Sequence, residues 1–311
     1  MDTRFLGALC VSIGCVVNAR AQAHVPEPAV NLGDTSFLDA LGGPGLLLEE
    51  IGDGTHTSKV ADASGQTVPV APPMNSITGL THVAWLSKSR ILRAWYGVEV
   101  LDAAAHVDAG AQGSASGWGD LTVSPLILQW DEREVGRTRV QQRIVFDFDL
   151  PTGEYRLASS VNLSSHAFTV HPYYAITAHP TKRIESSWRV SYLWNSQNNA
   201  PELSTAVRST QAGQAIHFNA TAGYNVYKGL WLGANGYFFK EITAPSIDGV
   251  QLSNSPEQVG AIGPGAMWNL GRCLLYANAY HELGAENRPE GNKLVLRIQW
   301  IFSKQGSDAK H

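Results

Sequence analysis

The chain of 311 residues is poor in cysteine, in charge and in long apolar runs. Each shortage removes a class of protein. Of its three cysteines, Cys10 and Cys15 lie in the first 23 residues, so a chain cleaved after Ala23 keeps only Cys273 and forms no internal disulfide. Beyond residue 23 there is no run of 18 apolar residues, which excludes helical membrane spans. Lys and Arg number 23 against 27 Asp and Glu, so nucleic acid is not expected as a partner. A G-x-x-x-x-G-K-[ST] loop, an H-E-x-x-H motif and a paired-cysteine cluster are all missing, so no nucleotide, metal or other cofactor is expected.

What is present begins at the N-terminus. Arg4 gives a positive start, Phe5 to Val17 an apolar stretch too short to cross a membrane, and Ala21-Gln22-Ala23 a small-residue cleavage site. This order predicts a signal peptide over 1–23 and a mature chain from His24. The alternative is a lipoprotein acylated at Cys15, but Ser12 stands where a bulky apolar residue is usual. Aromatic residues and glycine are plentiful, with 9 Trp, 10 Tyr, 9 Phe and 30 Gly. That mixture with modest charge suits a transmembrane β-barrel, in which only alternate residues meet lipid.

Periodicity carries the fold assignment. Ile216, Phe218, Ala220, Ala222, Tyr224 and Val226 alternate with His217, Asn219, Thr221, Gly223 and Asn225. Ile144, Phe146 and Phe148 likewise alternate with Arg143, Val145, Asp147 and Asp149. Ile184, Ser186, Trp188, Val190, Tyr192 and Trp194 alternate with Glu185, Ser187, Arg189, Ser191 and Asn195. Period two over eleven residues fits a tilted membrane strand. Twelve strands are predicted near 44–53, 76–87, 90–102, 119–130, 139–150, 166–179, 183–195, 214–227, 230–241, 257–268, 272–283 and 293–303. Long polar connections follow odd strands and mostly short turns follow even ones, the asymmetry of outer-membrane barrels. The fold class is therefore all-β, an antiparallel barrel of about 12 strands over 44–303 with both termini periplasmic. Residues 24–43 are read as a periplasmic segment able to fold into the lumen as a small plug, and 304–311 as a short tail. The outward belt is expected to hold Phe146, Phe148, Ile184, Trp188, Phe218, Tyr224 and Trp300.

The complementary faces define the expected lumen. Arg93, Trp95, Glu99, Arg143, Asp147, Asp149, His171, Tyr173, Glu185, Arg189, His217 and Arg297 should point inward. Interleaved charges suit a salt-bridged filling; Trp95 and Tyr173 are the natural contacts for an apolar solute. No catalytic residue is assigned. Ser165-His166 is an adjacent pair without a third group, which does not make a hydrolase.

Several segments resemble a known family. Gly117-Trp118-Gly119-Asp120 followed by Leu121-Thr122-Val123-Ser124-Pro125 is similar to its glycine-aspartate strand start. Phe146 to Tyr155, FDFDLPTGEY, is similar to its strand ending in Pro-Thr-Gly-Glu-Tyr. Val161-Asn162-Leu163 and Tyr192-Leu193-Trp194-Asn195 also fit. The family is the MetA-pathway phenol-degradation group, SphA-like, and the likeness covers most of 30–302. It implies an outer-membrane transporter for apolar or aromatic compounds.

The sequence thus predicts a porin-like barrel of the cell outer membrane for passive uptake or binding of small hydrophobic compounds, aromatics or long-chain lipids. The alternatives are a lipid-modifying enzyme of the same membrane and a structural barrel without transport. The expected partners are outer-membrane lipids, a small hydrophobic ligand and the barrel-assembly machinery. The last would read the terminal strand Leu294, Leu296, Ile298, Trp300, Phe302.

Overall fold

The computed structural model describes Val25 and residues 27–69, 73–201 and 206–302. The signal peptide over 1–23, its Cys15 alternative and the 304–311 tail lie outside the described residues.

Twelve long antiparallel strands form one closed sheet. They are β1 (Gly45–Val60), β2 (Met74–Ile91), β3 (Ala94–Asp108), β4 (Leu121–Gln129), β5 (Thr138–Leu150) and β6 (Thr169–Thr181). There follow β7 (Ile184–Asn195), β8 (Ala215–Tyr227), β9 (Leu230–Glu241), β10 (Gln258–Asn269), β11 (Cys273–Glu286) and β12 (Pro289–Phe302). Each pairs with its neighbours in sequence, and β1 pairs with β12, from Leu46 opposite Phe302 to Val60 opposite Pro289. Closure leaves no strand edge in the wall, the condition for a sheet to cross hydrocarbon. The chain is an outer-membrane β-barrel.

Alternation decides which side each residue meets. On β8 the inward His217, Asn219 and Thr221 are buried, while Ile216 and Tyr224 are exposed. Trp188, Phe218 and Phe238 line up across β7, β8 and β9 on the outer face, with ring centroids 6.3 and 5.7 Å apart. Phe146, Ile184, Trp188 and Tyr224 are among the exposed large side chains of the expected belt. Phe218→Arg should cost about 2–4 kcal/mol if the residue sits near the bilayer midplane. Unfolding in lipid vesicles tests this, and a change within about 0.5 kcal/mol, ordinary for a surface position, would contradict it.

Three differences from the sequence-based expectation have physical causes. β1 runs to Val60, seven residues past its expected end, while β2 starts at Met74, two residues early, and runs four residues past its expected end to Ile91. Their outward row holds Glu50, Gly52, Gly54 and Gly79 in place of apolar residues, with Glu50 accepting from Thr81 Oγ1 at 3.0 and 3.1 Å. The apolar alternation therefore stops before the hydrogen bonding does. The last outer connection, expected over 284–292, shrinks to two residues between Glu286 and Pro289, with Asn287 at φ 55°. Finally, β4 is short and irregular. Its register slips on both sides around Pro125, which has no N–H to give to a ladder. The outer half of β3 pairs with Ser114–Trp118 instead.

Candidate functional site: the lumen

The segment before β1 threads the barrel. At the rim of the long connections, Val25 and Pro28 lie among Ser165, Ala167, Asn195 and Asn198. The Glu27 carboxyl is buried there; that burial, and then the neighbouring Glu241 carboxyl, raises its pKa well above the ordinary value. Lys293 Nζ bonds Asp34 at 2.6 Å and the Leu32 carbonyl at 3.0 Å. Gly33 adopts φ +83° against Tyr280 and Tyr237, where a Cβ would come within 2.8 Å of a ring. Phe37 is fully buried, and a Cβ at Gly223 would stand 2.6 Å from its ring.

Asp39 is the centre of the arrangement. It accepts from Arg189 at 2.6 and 2.8 Å and from Arg143 at 3.3 Å. Two guanidinium groups thus neutralise one buried carboxylate. The irregular backbone around it is satisfied by lumen side chains, as it must be inside a barrel. Leu38 N–H donates to Glu185 at 3.0 Å and Ala40 N–H to Thr177 at 3.0 Å. Gln129 donates to the Ala40 carbonyl at 2.9 Å and Gln141 to the Gly42 carbonyl at 2.6 Å.

These anchors come from seven of the twelve strands. They lie on β4 to β8, β11 and β12; among the described residues, none of the segment's hydrogen bonds goes to β1, β2 or β3. The free space reaches the strands that the segment does not bond. A cavity of about 1020 Å³ follows the inward faces of Leu47, Glu49, Ile51 and Asp53 on β1, Leu80 and His82 on β2, and Glu99, Leu101 and Ala103 on β3. Opposite them stand Val30, Leu32, Leu38 and Leu41 of the segment. Its lining extends from Asp62, Gln112 and Asn162 in the outer connections to Leu41, Leu47 and Gln299 toward the rim of short turns. Ile51, Leu32, Val30 and Leu80 share one apolar cluster.

The sequence-predicted residues divide into three groups. Glu99, Arg143, Asp147, Asp149, His171, Tyr173, Arg189 and Arg297 line the cavity. Glu185 and His217 are buried and inward but serve as anchors and backing: Glu185 holds Leu38, and His217 Nε2 meets His171 Nε2 at 2.7 Å. Arg93 and Trp95 depart from expectation. Arg93 is exposed in the turn between β2 and β3 at φ 65°. Trp95 lies at the short-turn rim, bonded to Asp131 at 2.8 Å with Arg90 over its ring at 3.4 Å, and does not line the cavity. The hairpin turn falls four residues later than the sequence suggests, which moves both residues to the barrel's end. Tyr173 is only 4% exposed, lies under Arg189 at 3.9 Å and donates to Glu99 at 3.4 Å. Ser165 and His166 do not converge with an acid: His166 Nδ1 meets Asn198 at 3.2 Å and its ring stacks on Tyr155 at 4.4 Å.

The apolar positions Leu47, Ile51, Leu80 and Leu101 do not stand out in the sequence. Their strands carry polar or small residues on both faces, so alternation does not tell lumen from lipid there.

Known proteins share this architecture. A family model described as the putative MetA-pathway of phenol degradation matches residues 57–298. Among solved structures, an outer membrane channel from Pseudomonas putida F1 aligns over 88% of this chain and 100% of its own, at TM-score 0.74 and 19% identity. That likeness is one of fold. The beta domain of a Bordetella autotransporter aligns over 84% of this chain and 100% of its own, at TM-score 0.49 and 10% identity. The KdgM porin aligns over 82% and 99%, at TM-score 0.40 and 7% identity. These two likenesses are too distant to bear on function. No curated protein matches.

Proposed function

The chain belongs to the MetA-pathway phenol-degradation family, and from that premise we propose that it is a passive outer-membrane channel for small hydrophobic compounds. The observation that carries this reading is the cavity between the inner segment and the β1–β3 wall. Its apolar stretch, Ile51, Leu80 and Leu101 with Val30 and Leu32, suits an apolar ring or chain more than a sugar. The segment's hydrogen bonds spare β1, β2 and β3, and the part of the cavity along these strands is left for the solute. The solved channel from Pseudomonas putida F1, similar in fold, is consistent with transport and with a non-enzymatic role. The scatter of Ser165 and His166 away from any carboxylate supports the same choice.

The test places a charge in the passage. Ile51→Arg or Leu101→Arg should weaken binding of the apolar fluorophore N-phenyl-1-naphthylamine to purified protein by about tenfold, the order expected for losing one apolar side chain's contact. The barrel should remain heat-modifiable on gels. Unchanged binding in both variants, with the barrel intact, would show that the solute does not use this wall.

A further inference from the structure

We propose that the lumen is selective for cations, and that Asp147 with Asp149 on β5 forms its cation subsite. This rests on the cavity being a passage. Twelve acidic side chains line the cavity against five Arg and Lys, among the described residues, and eleven acids remain when Glu27, whose burial disfavours the anion, is set aside. The five bases are already engaged. Arg143 and Arg189 share Asp39, Lys293 holds Asp34 at 2.6 Å, Arg297 lies 3.6 Å from Glu49, and Arg288 lies 3.6 Å from Glu257. His82 lies between Glu49 and Glu99 at 3.4 and 3.1 Å, and even with it and His171 counted the acidic side chains outnumber the basic ones, so the field in the passage is negative.

Asp147 and Asp149 are where that surplus is concentrated beside the cavity. Two residues apart on one strand, they point to the same side and both line the free space. Their partners are neutral hydroxyls: Ser124 Oγ donates to Asp147, and Thr122 Oγ1 to Asp149. Asp149 Oδ2 is buried and accepts no hydrogen bond, although its side chain is only 8% exposed. The nearest imidazole nitrogen, His171 Nδ1, stays 4.0 Å away. His171 and His217 meet Nε2 to Nε2, which one shared proton satisfies, and His217 Nδ1 is also buried without a partner. Two carboxylates with one free oxygen, hydroxyl donors behind them and no committed cation make a site that a monovalent cation or a protonated amine would complete. A chloride or carboxylate would find no donor there.

The experiment is a reversal-potential measurement on the purified full chain in a planar bilayer under a KCl gradient. The potential should have the sign of K⁺ preference. Asp147→Asn/Asp149→Asn, which keeps the hydrogen-bonding shape, should lower the K⁺/Cl⁻ permeability ratio several-fold, while Asp131→Asn at the short-turn rim should leave it unchanged. Conductance with no preference for K⁺, or a double variant that keeps the wild-type ratio, would overturn the inference and leave the channel reading standing. A heat-modifiable barrel with no conductance would overturn both.

Discussion

Replacing Asp39 by alanine should release the inner segment and raise single-channel conductance several-fold. Arg143 and Arg189 converge on this one carboxylate, whose side chain is 3% exposed. Removing it leaves two guanidinium groups in one enclosed region without the carboxylate that both of them bond, a change that costs about 3–5 kcal/mol. The remaining anchors, such as Thr177 to Ala40 and Lys293 to Asp34, are weaker or lie on either side of the break. The released segment should become a target for protease added to the folded barrel. Asp39→Asn keeps one acceptor and should show a smaller effect of the same sign.

A larger loss is expected from truncation after Val295. Residues Leu296 to Phe302 pair with Leu46 to Gly52 of β1, and Cys273 to Ala277 of β11 pair with Leu296 to Trp300. Without them two strands lose their partners together and the sheet cannot close. An open edge in hydrocarbon leaves a row of backbone groups unpaired, at several kcal/mol each. The truncated chain should therefore be degraded or remain soluble in the periplasm, with no heat-modifiable band. Recovery of such a band from the membrane fraction would show that closure through β12 is dispensable.

The barrel is legible in the sequence because lipid imposes a rule on every second residue. Where that rule is strict, as on β8 and β9, the expected strands match the structure to within a residue. Where the outer face carries Glu50, Gly52, Gly54 and Gly79, the rule lapses, and the sequence makes β1 and β2 look shorter than they are. The lumen set is legible in part for the same reason. Arg143, Asp147, His171 and Arg189 lie on regular strands and their faces follow from parity. Arg93 and Trp95 lie next to a turn, where an error of a few residues turns a lumen side chain into a rim one.

The inner segment is the hardest to read. Residues 25–43 have no period, because their backbone is satisfied by side chains far away in sequence. Asn219 is bonded to Gly33, and Ser187 to Asp39. Such pairings leave no local signature. Gly33 and Gly223 are visible as glycines, but only the fold reveals that Tyr280 and Phe37 occupy the space their side chains would need.

Passage of apolar solutes between this segment and the β1–β3 wall is tested most directly by photolabelling. The barrel would be reconstituted in vesicles, labelled with an apolar aryl diazirine and mapped by peptide. Adducts are expected on Ile51, Leu80 and Leu101, and on Val30 or Leu32 across the passage, in addition to the lipid-facing belt. Adducts confined to outward residues such as Trp188, Leu294 and Leu296 would contradict passage along this wall.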